Sequence, residues 1–236
     1  MEIWDKNRYK KDLSLFKEIL DSEKEIEGDF KSISDTIDEM DRKDIVEYDI
    51  KNLCFYINGR IAGSVPDNLN YCQIFFDNKI ALKDCLNENY DPFHIYALNI
   101  NIHLYKGKKD TRKAYCSSWH LDKEDKEVTF KYSHPYYHFQ FGGKKFEYLD
   151  SEMGLLSCPR IPHPPMDIFL GFHFILNNFY NKKQFKFINR IIENPDYKII
   201  IKRAQERLWT PYFKAFDSSN NHNDFKIEKI FPLYIL

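Results

Sequence analysis

The sequence predicts an α+β fold: an antiparallel β-meander packed on a buried helix, with additional N- and C-terminal helices. Three observations lead to this prediction. Apolar and polar residues alternate along 98–104 and 116–122, as expected of strands with one buried face. Asn58-Gly59 and Gly142-Gly143 are turn signals. The segment 166–180 has almost no polar side, which is typical of a helix buried on most of its circumference.

The composition is that of an ordered globular protein. The chain has 236 residues, of which 43% are hydrophobic and 17% aromatic, and a domain of this length buries roughly 70% of its unfolded surface. We expect one integrated domain with three parts. These are an N-terminal helical segment over residues 1–45, an α+β core over 46–180, and C-terminal basic helices with a tail over 181–236.

The cysteines and the hydropathy pattern indicate a cellular compartment. Five cysteines show no paired spacing, residues 1–11 are too polar for a signal peptide, and no run of 18 apolar residues is present. We therefore predict a cytoplasmic protein with free thiols and no membrane contact.

The N-terminal part predicts helices first and less regular structure afterwards. Apolar residues recur at helical spacing over 5–24 and, more weakly, over 29–40. Alternation around Asn58-Gly59 predicts two short strands within 46–62. Residues 68–87 are ambiguous, and we assign them to a helix or to two short pieces.

The predicted meander has four or five strands and carries polar side chains on one face. Strands are expected over 93–105, 112–122 and 135–141, with return strands over 128–132 and 144–149. Alternation places the following side chains on the same polar face: Ser118, His120, Asp122, His134, His138 and Gln140.

A proline-rich connector and three helices follow the meander. The segment 158–165 contains too much proline for a helix or a central strand, so we expect a stiff, extended connector. The buried helix over 166–180 comes next, and two more helices are expected near 183–193 and 196–216. Residues 225–236 form an apolar tail that suits a last strand.

Charge is distributed unevenly although the net charge is −1. Residues 1–49 contain 9 basic and 16 acidic residues (net −7), whereas residues 181–216 contain 9 basic and 3 acidic ones (net +6). Either these two regions attract each other across the fold, or the basic region binds nucleic acid or an acidic partner. On the second interpretation the nucleic-acid-binding residues are Lys182, Lys183, Lys186, Arg190, Lys198, Lys202, Arg203 and Arg207.

Histidines on and near the polar face are the main candidates for catalysis. Two imidazoles and a cation suffice for metal-free RNA cleavage. One ring takes the 2′-hydroxyl proton, the other protonates the leaving oxygen, and an Arg or Lys steadies the charge on phosphorus. The candidate catalytic residues are His120, His134, His138, Arg160 and His163. The alternative is structural, with these histidines capping loops or hydrogen bonding within the sheet.

No cofactor is predicted. The sequence lacks the GxGxxG, GxxxxGK[ST], HExxH, GxSxG and CxxC motifs, so dinucleotide chemistry, nucleotide hydrolysis and zinc proteolysis have no support. Two pairs of candidate metal ligands are four residues apart on a strand and so ~13 Å apart, too far for one ion: Cys116 with His120, and His134 with His138. Cys158 and His163 could bind zinc together with ligands from other parts of the chain. A small metalloprotein is therefore a third hypothesis, beside the two functional hypotheses given at the end of this section.

Three stretches carry a family resemblance: His138-Phe-Gln-Phe-Gly, Cys158-Pro-Arg-Ile-Pro and Phe174-Ile-Leu-Asn-Asn-Phe-Tyr180. Through them the segment 138–180 resembles an uncharacterised bacterial family. Members of that family end in a histidine-led glycine strand, a Cys-Arg-Ile-Pro connector and an apolar helix. Pro159 is inserted into the connector and departs from the family pattern.

A second resemblance lies in the hairpin over 115–138. Its tyrosines and histidines, together with Pro135-Tyr-Tyr-His138, resemble the TumE-type toxins, which pair such a hairpin with a Pro-x-x-His strand. Those toxins are regarded as RNA-cleaving. The resemblance implies a place in bacterial toxin–antitoxin or antiphage defence systems.

Two functional hypotheses follow. The first is a histidine-based endoribonuclease or RNA-binding effector of a toxin–antitoxin or antiphage defence system. The alternative is a non-catalytic subunit of a multi-protein defence complex, in which the polar face and the charged ends are interfaces. The expected partners are RNA or DNA and a protein encoded nearby.

Overall fold

Five helices and seven strands make up the part of the chain that the structure describes. The structure is a computed structural model, and it describes residues 3–61, 64, 68–83, 91–108, 115–123, 135–142 and 161–214. The strands are β1 (Glu27–Asp29), β2 (Glu47–Asn58), β3 (Tyr71–Leu82), β4 (Phe93–Tyr105), β5 (Tyr115–Lys123), β6 (Tyr137–Phe141) and β7 (Ile161–Pro162). The helices are α1 (Lys6–Ser22), α2 (Lys31–Met40), α3 (Ile168–Phe179), α4 (Phe187–Glu193) and α5 (Pro195–Lys214).

All seven strands belong to one antiparallel sheet. Every strand pairs with its neighbour in the chain, in the order β1-β2-β3-β4-β5-β6-β7. Such an up-and-down arrangement joins elements that are close in sequence. The α+β class, the antiparallel meander and the helices at both ends of the chain are therefore confirmed.

Strand β2 is one long strand where the sequence predicts two short ones. It pairs with β3 from Glu47 to Asn58. A bulge interrupts the register near Asn52, which has a φ of 55° and donates its N–H to Asp77 Oδ1 at 2.8 Å. The sequence placed the turn between its two short strands at Asn58-Gly59, but β2 already begins at Glu47 and ends at Asn58, and residues 59–61 belong to no strand, so the division into two short strands was wrong.

Strand β3 occupies the segment that the sequence leaves ambiguous. Its alternate buried side chains are Cys72, Ile74, Phe76, Ile80 and Leu82. The polar run over 77–79 conceals this period of two. Asn78 is nevertheless buried, because its side chain accepts from the Tyr48 hydroxyl at 2.6 Å and donates to the Ala97 carbonyl at 3.1 Å. The assignment of this segment to a helix was therefore wrong.

Helix α3 lies directly on one face of the sheet. A Cβ atom at Gly171 would come within 2.5 Å of the Phe76 ring and 3.4 Å of Leu98, so the helix approaches β3 and β4 as closely as a glycine allows. Asp167 caps the helix by accepting from the N–H groups of its second and third residues, both at 3.1 Å. The buried helix predicted over 166–180 is confirmed.

The helices and one face of the sheet share a hydrophobic core. Phe16 of α1 packs edge-on against Phe169 and Phe172 of α3, with ring centroids 5.5 and 5.2 Å apart. Phe55 of β2 and Ile188 of α4 belong to the same cluster. Residues from all three predicted segments therefore pack together.

Some predictions fall on other parts of the chain. The strands expected over 128–132 and 144–149, and the apolar tail over 225–236, lie outside the described residues. Among the residues that are described, no helix is both long enough and apolar enough to span a bilayer.

Candidate active site

The face of the sheet opposite the helices carries polar side chains of β3 to β6, and we call it the polar face. Alternation puts every second residue of a strand on this face, and the register decides which residues are neighbours across strands. One row consists of Asp77, Asn99, His120 and Gln140. The adjacent row consists of Lys79, Ala97, Asp122 and His138.

His120, Asp122 and His138 meet on the polar face, and we call them the histidine cluster. His120 Nε2 lies 3.6 Å from Asp122 Oδ2, and the two imidazole rings are nearly perpendicular with centroids 6.1 Å apart. One nitrogen or oxygen atom of each residue lies within 4.8 Å of the others. The side chains of Asp122 and His120 are 42% and 16% exposed, and His138 is 5% exposed. The cluster therefore has an open end at Asp122 and a buried end at His138.

A buried carboxylate holds the strands that carry the cluster. Asp91 accepts hydrogen bonds from the hydroxyl groups of Tyr136 and Tyr137, each at 2.7 Å, and its ion pair with Lys123 Nζ is also 2.7 Å long. Tyr137 directly precedes His138, and Lys123 directly follows the aspartate of the cluster. Three charge-assisted contacts to one buried group therefore fix β5 and β6 beside the cluster.

His163 lies on the other face of the sheet. Its ring packs 5.3 Å from the ring of Phe139, which belongs to the core, and its Nδ1 lies 2.6 Å from the Pro164 carbonyl oxygen. Burial lowers the pKa of His163. Phe139 and His138 are consecutive residues of β6 and point to opposite faces. The structure therefore separates His163 from the cluster, although the sequence placed them in one site.

Two arginines of the basic C-terminal region form ion pairs with acidic residues near the N-terminus. Arg190 contacts Glu23 at 2.8 Å and Glu25 at 2.7 Å, and Arg203 contacts Asp12 at 2.6 Å. The oppositely charged regions thus attract each other across the fold, as the first of the two interpretations expects.

Arg207 lies in the core and does not present a surface to nucleic acid. It is 4% exposed, donates to Asp167 Oδ2 at 3.1 Å and stacks 4.8 Å from the Tyr9 ring centroid. Burial raises the pKa of Asp167, although Arg207 acts to lower it. The five lysines predicted to bind nucleic acid are exposed: Lys182, Lys183, Lys186, Lys198 and Lys202. Lys198 and Lys202 belong to α5, which packs on α1, α3 and α4, so the sheet separates them from the cluster.

Sequence reasoning located the polar face but not the pairing across strands. Of the candidate catalytic residues, the structure brings the two histidines of the cluster together, while His134 and Arg160 lie outside the described residues. Asp122 was placed on this face without a role, and Lys79 was overlooked. The alternation along β3 would have placed Lys79 on the polar face, but Lys79 lies in the polar run over 77–79 that conceals it.

Comparisons with known proteins do not add a relative. No protein-family model, curated protein or solved structure matches the chain. The resemblances to the uncharacterised bacterial family and to TumE-type toxins therefore stay predictions. The basis for inferring a function is the geometry of His120, Asp122 and His138.

Proposed function

We propose that the protein is an RNA-cleaving effector of a bacterial toxin–antitoxin or antiphage defence system, with His120 and His138 as its proton-transfer pair. One observation carries the chemistry: two imidazoles from different strands meet on one face, with ring centroids 6.1 Å apart, beside a carboxylate. The biological setting is inferred from the resemblance of residues 115–180 to TumE-type toxins and to the uncharacterised bacterial family.

In the proposed reaction His120 is the general base and His138 the general acid. His120 takes the proton of a ribose 2′-hydroxyl, and the oxygen attacks the adjacent phosphorus. The bond between phosphorus and the 5′-oxygen breaks, and His138 gives that oxygen its proton. The products are a 2′,3′-cyclic phosphate and a 5′-hydroxyl. Each proton transfer contributes about 10²- to 10⁴-fold to the rate.

Asp122 and Lys79 supply the electrostatics of this reaction. The Asp122 carboxylate, 3.6 Å from His120, stabilises the imidazolium that forms when His120 accepts a proton. Lys79 of β3 lies in the same row as Asp122 of β5. Ala97 of β4, which has a short side chain, lies between these two residues. Adjacent strands are about 4.8 Å apart, and we assign the Lys79 ammonium group the role of steadying the charge on phosphorus once it turns from β2 toward the cluster. Lys79 Nζ forms an ion pair with Asp49 Oδ2 of β2 at 3.3 Å.

The test is RNA cleavage by purified wild-type protein, His120→Asn and His138→Asn, with EDTA present. We expect the wild type to cleave 5′-labelled RNA, to leave 2′,3′-cyclic phosphate ends, and to spare DNA, which lacks the attacking hydroxyl. Each variant should lose about 10²-fold or more of the rate. His103→Asn is the matched control, because His103 also lies on the polar face, about 13 Å along β4 from the row of His120.

A folded wild type that leaves RNA intact, or histidine variants as active as His103→Asn, would overturn the proposal. Growth of a bacterial host during expression gives a second readout, with arrest expected for the wild type and not for His138→Asn. The alternative, a non-catalytic subunit of a defence complex, is favoured by the burial of His138, which suits a structural role. On that alternative the wild type is inert toward RNA and co-purifies with a protein partner.

A further inference from the structure

The histidine cluster has the composition of a metal site as well as of a proton-transfer pair. Two imidazoles and one carboxylate supply nitrogen and oxygen donors that transition metals such as Zn²⁺ bind at about 2.0–2.2 Å. Metal binding requires neutral imidazoles, and the Asp122 carboxylate then offsets part of the charge of a divalent cation. A donor set of two histidines and one carboxylate also leaves coordination positions open for water.

The sheet register brings the three donors together. Asp122 on β5 stands directly opposite His138 on β6, and His120 lies two residues before Asp122 on the same face. The triangle therefore spans two strands, whereas two ligands four residues apart on one strand are ~13 Å apart. This arrangement has no signature in the linear sequence, since the spacing of the three residues matches no standard metal motif.

The distances fit one ion after small side-chain rotations. The donor atoms lie within 4.8 Å of one another, and His120 Nε2 and Asp122 Oδ2 are already 3.6 Å apart. Two ligands on a tetrahedral zinc ion are ~3.3 Å apart, given bond lengths of about 2.0–2.1 Å. The half-exposed Asp122 provides an entry path from solvent, and the buried His138 shields the inner side of the site.

The surroundings hold the donors in place. Asp91 anchors Tyr137, the residue before His138, and Lys123, the residue after Asp122. Both strands also have a paired neighbour on each side, since β5 lies between β4 and β6, and β6 between β5 and β7. Donors on rigid, paired strands lose little conformational freedom when they bind a cation.

We propose that His120, Asp122 and His138 bind one divalent transition-metal ion of the Zn²⁺ type, and that this ion inhibits the RNA cleavage proposed above. A ring nitrogen that binds the ion can neither accept a proton nor carry one to deliver, so neither ring can act as a base or an acid at that nitrogen while the ion is bound. Metal binding is independent of the proposed function, whereas the inhibition rests on it.

The binding test is titration of the full chain with Zn²⁺ by calorimetry and with Co²⁺ by visible absorption. We expect one equivalent to bind to the wild type. His120→Asn, Asp122→Asn and His138→Asn should each lose more than about 100-fold in affinity, beyond the roughly 10- to 100-fold that follows loss of an outer-shell partner. His103→Asn and Cys116→Ser, which alter other donor residues of the polar face, should bind as the wild type does. Absence of binding by the wild type, or cluster variants that bind Zn²⁺ as tightly as the wild type does, would overturn the metal site.

The activity test separates the two proposals. One equivalent of Zn²⁺ should slow RNA cleavage, and EDTA should restore it. Acceleration by Zn²⁺ would overturn the inhibition. One equivalent of bound zinc in a protein that cleaves no RNA in EDTA would support the metal site and overturn the proposed function.

Discussion

The two faces of the sheet use charged residues in opposite ways. On the helix-covered face, Arg207 and Asp167 lie in the core as a hydrogen-bonded pair among aromatic rings. On the polar face, His120 and Asp122 lie near each other at 3.6 Å and remain partly exposed. A buried ion pair that is hydrogen bonded within the core stabilises one conformation of the core. A partly exposed charged group, in contrast, can still accept a proton or a ligand. We therefore expect substitutions on the first face to change stability and those on the second to change chemistry.

The largest expected effect is a loss of stability on removing Arg207. Arg207→Met should lower the free energy of unfolding by roughly 3–5 kcal/mol, because it leaves the buried carboxylate of Asp167 without its cation and leaves Asp12 with Arg203 alone. Urea unfolding followed by circular dichroism at pH 7 measures the change.

The matched control for that variant is Arg190→Met. Arg190 also pairs with two acidic residues, Glu23 and Glu25, but its side chain is 51% exposed. Water and salt screen such a pair, so its loss should matter much less. Equal losses for the two variants would show that the helix-covered face does not owe its stability to the buried pair.

A smaller effect is expected at Asp91, which contacts Tyr136, Tyr137 and Lys123. Tyr137→Phe removes one of the two hydroxyl groups that donate to this buried carboxylate. A hydrogen bond to a charged group contributes about 1.5–3 kcal/mol, and the loss should appear in urea unfolding. Tyr105→Phe is the control, because the Tyr105 hydroxyl donates to the neutral Gln73 side chain at 3.3 Å. A Tyr137→Phe protein as stable as the control would exclude Asp91 as an anchor of β5 and β6.

The contrast between the faces also explains what the sequence could predict. Period-two alternation identified β4, β5 and β6 and the face of each side chain, because alternation depends only on local backbone geometry. The apolar helix α3 was equally clear. Which residues meet across strands depends on register, and a bulge such as the one at Asn52 changes the register without a sequence signal. The pairing of Asp122 with His138 was therefore not predictable.

The distribution of charge along the sequence likewise did not predict which residues form ion pairs. The sequence identified a basic C-terminal region and left two interpretations open. The three-dimensional fold decides where each charge goes: Arg203 reaches Asp12, which is far away in the sequence, and Arg207 enters the core. Composition reports how many cations a region holds, whereas packing determines which of them are available to a ligand.

A still smaller effect on stability is expected from pH. Burial lowers the pKa of His163 and is the main cause of the lowered pKa of His173, with Lys182 contributing to the latter. An unfolded histidine titrates near 6.5, so below that pH the unfolded chain takes up protons that the folded imidazoles resist. The stabilisation is therefore complete above about pH 7 and is lost as the pH falls through the lowered folded values.

The measurement is the urea midpoint between pH 5 and pH 8 for the wild type and for His173→Gln. The midpoint of the wild type should fall toward pH 5, and His173→Gln should reduce that fall. If the urea midpoints of the two proteins fall in parallel between pH 8 and pH 5, His173 does not contribute to the pH dependence of stability.

The smallest expected effect concerns the exposed lysines of α5. Lys198→Glu combined with Lys202→Glu should leave the proposed RNA cleavage within about twofold of the wild-type rate, because α5 lies on the helix-covered face. Surface charges farther apart than about 10 Å are screened at 0.1 M salt. Lys79→Ala on the polar face should slow cleavage about tenfold through lost stabilisation of charge on phosphorus. Initial rates on a short labelled RNA, measured at two salt concentrations, compare the two variants. A double lysine variant that is slower than Lys79→Ala would place the RNA on the helices rather than on the polar face, and would separate the phosphate-binding surface from the histidines.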